Sequence, residues 1–319
     1  MRVAIIGQQA FGKSVLQVFL NRGDTIAGVF APPEKPSGRP ADPLKVAAEE
    51  YGVRLFQLPT LKSEAAVAAL RALDVDLAVM AYVLQFASRA FVDAPRHGAI
   101  QYHPSLLPKY RGPSAINWPI IKGDAETGLT VFRPTEGVDE GPVILQKAVA
   151  IGPDDTAGHV YFGRLFPLGV EAMLEAADLV VSRGYAGSSQ DEGAASYEGW
   201  CSDAEARINW NAHIDVTYNL IRGCDPAPGA WTTFQGRKLG LFAAKKHPVR
   251  RFSDIRAKPG EICAIGEESI RIAMHGGEIQ VFKVRAEGRE KISAAAFARE
   301  VGLNEGTRLD AELPRAAAA

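Results

Sequence analysis

The sequence predicts an α/β fold: a doubly wound, mostly parallel sheet followed by a small β-barrel-like domain. Three observations predict it. Short apolar runs rich in Val, Ile, Leu and Ala alternate with helical stretches up to residue 183. A stretch rich in Gly, Ser and Ala, 184–204, then breaks that rhythm. Beyond it, short β-like runs are separated by glycines, as in small barrels. The expected division is therefore a catalytic-type domain at 1–183, a linker at 184–204 and a barrel-like, OB-like domain at 205–319.

The elements follow in order. Val3 to Ile6 is a buried strand, and Phe11 to Leu20 an amphipathic helix ending near Gly23. Thr25 to Phe30 is a strand. Residues 31–43 hold five prolines and form an irregular loop. Leu44 to Tyr51 reads as a helix, Val53 to Phe56 as a strand and the alanine-rich Glu64 to Leu73 as a helix. Leu77 to Ala81 is a strand followed by the loop Tyr82 to Phe86, and Ser88 to Val92 is a helical turn. Ala99 to Tyr102 is the next strand, and Ser114 is expected to cap a helix through Ile121. Thr127 to Phe132 and Val143 to Val149 alternate as strands, and Thr156 to Val181 reads as one long helix. Past the linker come a helix, Ile214 to Ile221, five β-like runs between Ala230 and Val284, and a helix at 292–301. The tail Arg315 to Ala319 is expected to fray.

Composition narrows the function classes. The chain has 319 residues with 36 basic and 37 acidic side chains. Residues 1–200 carry 18 basic and 22 acidic, and residues 201–319 carry 18 and 15, so neither part is the strongly basic domain of a nucleic-acid binder. The three cysteines, Cys201, Cys224 and Cys263, lack CxxC spacing, which argues against a zinc site and a disulfide framework and for reduced thiols. No apolar run approaches the roughly 20 residues that span a bilayer, and the N-terminus lacks a cleavage-like site. A cytoplasmic protein with no membrane partner is expected.

Two motifs bear on chemistry. Gly7-Gln8-Gln9-Ala10-Phe11-Gly12-Lys13-Ser14 satisfies G-x-x-x-x-G-K-[ST] between a strand and a helix, so a nucleotide-hydrolysing P-loop enzyme is one reading. Against it, no strand nearby ends in an Asp able to hold magnesium. The plainer reading is a tight turn that needs glycine. The second motif is the stretch Gln101 to Ala115, in which His103 sits where a strand gives out and Pro104, Pro108 and Pro113 stiffen the loop. Strand ends followed by loops are where open α/β sheets place reactive groups. Asp139, in the glycine-flanked turn Glu136 to Gly141, lies 139 − 103 = 36 residues on, enough for one helix and one strand returning to the same end of the sheet. An imidazole beside a carboxylate can donate to a carbonyl oxygen as it gains charge. A lone structural histidine is the plainer reading. The other histidines lack such a partner, and Asp154 and Asp155 read as helix-capping residues.

Several stretches together resemble the formyltransferase family that uses 10-formyltetrahydrofolate. They are His103-Pro104-Ser105-Leu106-Leu107-Pro108, Arg111-Gly112, Gly123-Asp124 and Gly137-Val138-Asp139-Glu140-Gly141. In the second half, Ile208-Asn209-Trp210, Ile221-Arg222-Gly223 and Pro228-Gly229-Ala230 are similar to the family's C-terminal barrel domain. The resemblance covers almost the whole chain and implies a Rossmann-like catalytic domain and formyl transfer from the folate co-substrate 10-formyltetrahydrofolate, without a metal. It implies His103, Asp139 and Gln101 as catalytic residues, and Leu84, Gln85, Phe86 and Ala87, with Glu136, Gly137 and Val138, as the pterin-binding segments.

Two branches of the family come closest. Tyr102-His103-Pro104-Ser105, Ser114-Ala115-Ile116-Asn117-Trp118 and Gln85-Phe86 resemble the N-terminal hydrolase domain of 10-formyltetrahydrofolate dehydrogenases. The alternative is methionyl-tRNA formyltransferase. Its RNA-contacting loop is longer and more basic than 37–43 here, which disfavours tRNA as partner. The family's usual catalytic asparagine maps to Gln101, longer by a methylene, and that leaves the acceptor open between water and a small amine. The chain ends without the carrier and aldehyde dehydrogenase domains, so NADP-dependent oxidation is not expected. In the expected mechanism His103 stabilises the tetrahedral intermediate and helps protonate the leaving nitrogen, while Asp139 orients His103 and positions the nucleophile. Oligomeric state is not legible.

Overall fold

The computed structural model describes residues 1–34, 40–249 and 257–310. Residues 37–39 of the proline-rich loop and the tail from Arg315 lie outside these. The chain divides into two units, one of Met1–Ala115, Thr127–Ala150 and Phe162–Glu198, the other of Ile116–Glu126, Ile151–Tyr161 and Gly199–Ala319. Two short early segments thus join the later unit, and residues 184–198 stay with the first.

The first unit is built on β1 (Arg2–Gly7), whose Val3, Ala4 and Ile5 are fully buried. A strand covered on both faces belongs inside a parallel sheet. The seven-stranded order is β3 (Leu55–Phe56), β2 (Thr25–Phe30), β1, β4 (Leu77–Ala81), β5 (Ala99–His103), β6 (Glu126–Phe132) and β7 (Val143–Ala150). β1 runs parallel to both β2 and β4, and β4 parallel to β5. The order therefore reverses between β1 and β4, and ligands of open α/β sheets bind beyond the strand ends at such a point. β6 is antiparallel to β5, with Phe132 opposite Gln101 and Thr130 opposite His103. That corrects the expected crossover: β6 ends beside the start of β5, and the loop between β6 and β7 carries Asp139 to His103.

Helix α1 (Gln9–Arg22) buries Phe11, Val15, Leu16 and Phe19. Each such side chain contributes about 1.5–3 kcal/mol. It ends at Gly23, whose φ of 91° lets its N–H bond the carbonyl of Leu20. Other sequence expectations shift. The single helix expected over Thr156 to Val181 is broken into α6 (Ala157–Val160), a wide π-type turn at Tyr161–Leu165, and α7 (Phe166–Arg183). Pro167, in the first turn of α7, has no N–H to continue the ladder. Ser114 is not the cap of the next helix: α5 (Asn117–Lys122) starts from Ile116 without a side-chain cap. The linker stretch is partly pinned, with Ser188 paired to Val143 and Tyr197 bridged to Arg111.

The second unit holds an antiparallel sheet in the order β10 (Ile262–Ile265), β11 (Ile270–Met274), β12 (Gly277–Ala286), β9 (Arg237–Pro248), β8 (Ala230–Phe234), with β13 (Ile292–Ser293) on β12. Helices α8 (Ile214–Gly223) and α9 (Ala294–Val301) cover it, and Tyr218, Ile221, Leu241, Ile272, Val281 and Phe297 share its core. Cys201 and Cys224, 23 residues apart, meet there with their sulfurs 3.7 Å apart. Sequence spacing had left them scattered. Asp154 accepts the Tyr218 hydroxyl rather than capping α6, whose cap is Thr156.

Candidate active site

β5 delivers Gln101 and His103 to one face, because side chains two apart in a strand point the same way. Tyr102, on the opposite face, packs against Phe11, the ring centroids 4.4 Å apart and the planes tilted by 34°. The loop after His103 is held by its own hydrogen bonds. The Thr130 hydroxyl accepts from the Leu107 amide and the Gln146 side chain and donates to the carbonyl of Ser105. The Ser105 hydroxyl donates to the carbonyl of Lys109 at 2.6 Å. These bonds carry the chain round so that the Tyr110 carbonyl returns to His103 Nε2 at 2.8 Å.

That contact fixes the tautomer. A carbonyl only accepts, so Nε2 carries a hydrogen and Nδ1 is the nitrogen left for chemistry. Nδ1 faces Asp139 Oδ2 at 3.5 Å, an ion-pair distance rather than a tight hydrogen bond. The ring is 7 % exposed and the carboxylate 12 %, so water screens this pair little. The same Oδ2 accepts the amide of Gly112 at 2.9 Å. Gly112 has a φ of 102°, and a Cβ there would sit 2.4 Å from the carbonyl of Glu198, so only glycine lets the amide approach. Asp139 itself has a φ of 55°, tolerable for aspartate and imposed by the loop around it.

The remaining expected residues are placed as follows. Among the described residues no hydrogen bond holds the Gln101 amide, which leaves it able to take a ligand. Leu84, Gln85, Phe86 and Ala87 follow β4 at the switch point. Leu84 is 54 % exposed and Phe86 59 %, with Lys62 over the Phe86 ring. Gln85 is tied to the Pro59 carbonyl and Ala87 pairs with Leu61. Glu136, Gly137 and Val138 precede Asp139 in its loop, with Val138 and Glu136 exposed. Nearby Thr135 Oγ1 is buried without a partner. Among the described residues, the bonds of Gln85 and Ala87 run to Pro59 and Leu61 and not to the His103–Asp139 pair.

The P-loop reading does not survive the geometry. Only Gln8 separates β1 from α1, so Gly12, Lys13 and Ser14 lie inside the helix, and the Gly12 amide bonds the Gln8 carbonyl. The Gln9 amide, where a phosphate would sit, is taken by the Asp42 carboxylate.

Sequence reasoning missed Thr130, Gln146, the Tyr110 carbonyl and the role of Arg111. Arg111 is fully buried and bonds Glu192, Gln190 and Tyr197. The guanidinium holds the Glu192 carboxyl below the usual range, and Glu192 in turn pushes Arg111 upward. Glu192, inside the Gly/Ser-rich stretch, was the only signal of this contact. A cavity of about 220 Å³ in the second unit is lined by Asp154, His159, Arg222 and Asp225; Arg222 donates to the carbonyls of Gly152 and Asp155, Asp154 accepts the Tyr218 hydroxyl and Asp225 accepts the Ala243 amide. No helix among the described residues is long and apolar enough to cross a membrane.

Residues 1–176 match the formyl transferase domain model and residues 201–302 the formyl transferase C-terminal domain model. A mouse cytosolic 10-formyltetrahydrofolate dehydrogenase is 41% identical over 247 residues, covering 76% of this chain and 27% of that protein. The chain thus spans about a quarter of the dehydrogenases it matches at that coverage. A methionyl-tRNA formyltransferase from Geobacter metallireducens is 32% identical over 313 residues, 97% of this chain and 98% of that protein. Among solved structures, HypX from Aquifex aeolicus in complex with tetrahydrofolic acid superposes with a TM-score of 0.69 at 19% identity, over 94% of this chain and 47% of that one.

Proposed function

The chain belongs to the formyl transferase family, whose members are enzymes that use formyl-folate, and from that premise we propose that it hydrolyses 10-formyltetrahydrofolate to tetrahydrofolate and formate. The observation that carries the reading is the His103–Asp139 pair, largely shielded from water, with the uncommitted Gln101 side-chain amide on the same strand face as His103. The higher identity to the dehydrogenases supports water over tRNA as acceptor. Leu84 to Ala87 and Glu136 to Val138 flank the pterin in this reading.

The proton bookkeeping follows from the tautomer. Water bonds to the formyl carbon as Asp139 takes one of its protons and relays it to His103 Nδ1. The formyl oxygen, now negative, accepts from the Gln101 side-chain amide and from the hydrogen now on Nδ1. The carbon–N10 bond then breaks, and the Nδ1 proton passes to N10. Ring and carboxylate are thereby returned to their starting states, and formic acid ionises in solvent. The Tyr110 carbonyl, bonded to Nε2, keeps the ring aimed throughout. Removing an oxyanion donor costs about 10²–10³ in rate.

Incubation of the purified chain with 10-formyltetrahydrofolate alone tests this. Formate release that His103→Ala and Asp139→Ala abolish is the expected result. A second reading is favoured by one observation: the methionyl-tRNA formyltransferase match runs almost end to end on both chains. Turnover only in the presence of methionyl initiator tRNA would select it, and turnover only with a small amine would make the chain a transferase of that class.

A further inference from the structure

We propose that Gln190 is a positioning residue for the reaction, holding the Asp139 loop so that the carboxylate meets His103. This rests on the formyl-transfer reading above. Gln190 lies in a stretch that the sequence marks only as a linker, 49 to 51 residues from the segment it holds.

The amide orientation follows from its partner. Arg111 can only donate, and its Nε and Nη2 reach the same Gln190 oxygen at 3.1 and 2.8 Å. The nitrogen of Gln190 must therefore point the other way. It donates to the carbonyls of Asp139 and Gly141, both at 2.8 Å. One side chain thus pins the backbone on either side of Glu140. From the inside, the Gly112 amide holds the Asp139 carboxylate at 2.9 Å. Gly141 admits no side chain, since a Cβ there would lie 1.7 Å from the Arg133 carbonyl, so the carbonyl it offers Gln190 has one available path.

Arg111 is the anchor of this arrangement rather than a substrate ligand. Its donors go to Gln190, to both carboxylate oxygens of Glu192 at 2.9 and 2.6 Å, and to the Tyr197 hydroxyl at 2.5 Å. Its backbone is fixed as well: its amide donates to the Ser196 carbonyl, and its carbonyl accepts from Glu198. Tyr110, whose carbonyl aims His103, is held through its amide by the Ser196 hydroxyl at 2.8 Å. Segment 190–198 therefore braces both members of the pair, His103 through Tyr110 and Asp139 through Gln190.

Gln190→Glu isolates the donor. The carboxylate still accepts from Arg111, but it cannot donate to the two carbonyls and repels them. The expected result is a fall in kcat of about 10- to 100-fold, a KM for 10-formyltetrahydrofolate within about 3-fold of wild type and faster amide exchange over 139–142. The double variant Gln190→Glu with Asp139→Asn should be no slower than Asp139→Asn alone, because Gln190 acts through Asp139. Full additivity, or unchanged kcat with unchanged exchange over 139–142, overturns the proposal. Should the wild-type chain fail to turn over any formyl-folate, the functional reading falls separately. The exchange measurement then decides the positioning claim: faster exchange upholds it and unchanged exchange overturns it.

Discussion

The carboxyl ends of β1 and β5 both carry a motif that the sequence singles out, and the chain leaves the two strands differently. After β1, one residue intervenes before α1, and the helix absorbs Gly12, Lys13 and Ser14. Its amides are consumed by helical bonds and by the Asp42 carboxylate. After β5, three prolines forbid a helix through Pro113, and the chain must satisfy its backbone through Thr130, Ser105 and Gln146 instead. The second exit leaves an imidazole nitrogen facing a carboxylate that also accepts the Gly112 amide. A motif is a candidate site only where its polar groups are not already needed by secondary structure.

The largest effect that sharpens this contrast is chemical. His103→Ala should lower kcat for formyl-folate turnover by about 10²–10³, whereas Lys13→Ala should leave both turnover and the absence of ATP hydrolysis unchanged, as steady-state kinetics would register. Next is a stability effect at the tight exit. Gly7→Ala would place a Cβ 2.1 Å from the Ala81 carbonyl oxygen, and urea unfolding should show a loss of about 2–4 kcal/mol. Thr130→Val removes a buried hydroxyl serving three partners. It should destabilise by about 1–3 kcal/mol and reduce kcat along with it, since the Leu107 amide and Gln146 lose their acceptor. The smallest effect is at the exposed carboxylate of the Arg111 contact. The carboxyl of Glu192 is held below its ordinary value of 4.5 by the Arg111 hydrogen bond. A depressed carboxylate contributes stability above its unfolded value and loses it as pH falls through the folded one. The stability gap between the wild type and Glu192→Gln should therefore be present at pH 7 and close below pH 4.5 in a series of denaturation curves. A gap that persists in acid would mean that packing, not charge, holds the contact.

Much of the first unit was legible because its strands are short apolar runs of β-branched residues and its helices keep a 3.6-residue apolar period. His103 was legible because prolines announce the end of the strand. Asp139 was legible because glycines flank it. What escaped was of two kinds. Breaks inside a continuous apolar pattern escaped: Pro167 divides a helix whose periodicity does not change across it. Long-range polar contacts escaped as well. Nothing local to Gln190 or Ser196 signals that they bind residues 51 and 86 positions away.

The sequence by itself determined the layered α/β architecture, the strand on which Gln101 and His103 share a face, and the family to which these motifs point. Local preferences and side-chain periodicity suffice for those, since they depend on neighbours a few residues apart. Tertiary structure alone decided that β6 runs antiparallel, that the Tyr110 carbonyl fixes the His103 tautomer, and that a buried arginine sets the orientation of Gln190. Each of those is a hydrogen bond or strand pairing between residues set apart in the chain, by seven positions for His103 and Tyr110 and by 79 for Arg111 and Gln190. Its geometry exists only once the sheet has brought them together.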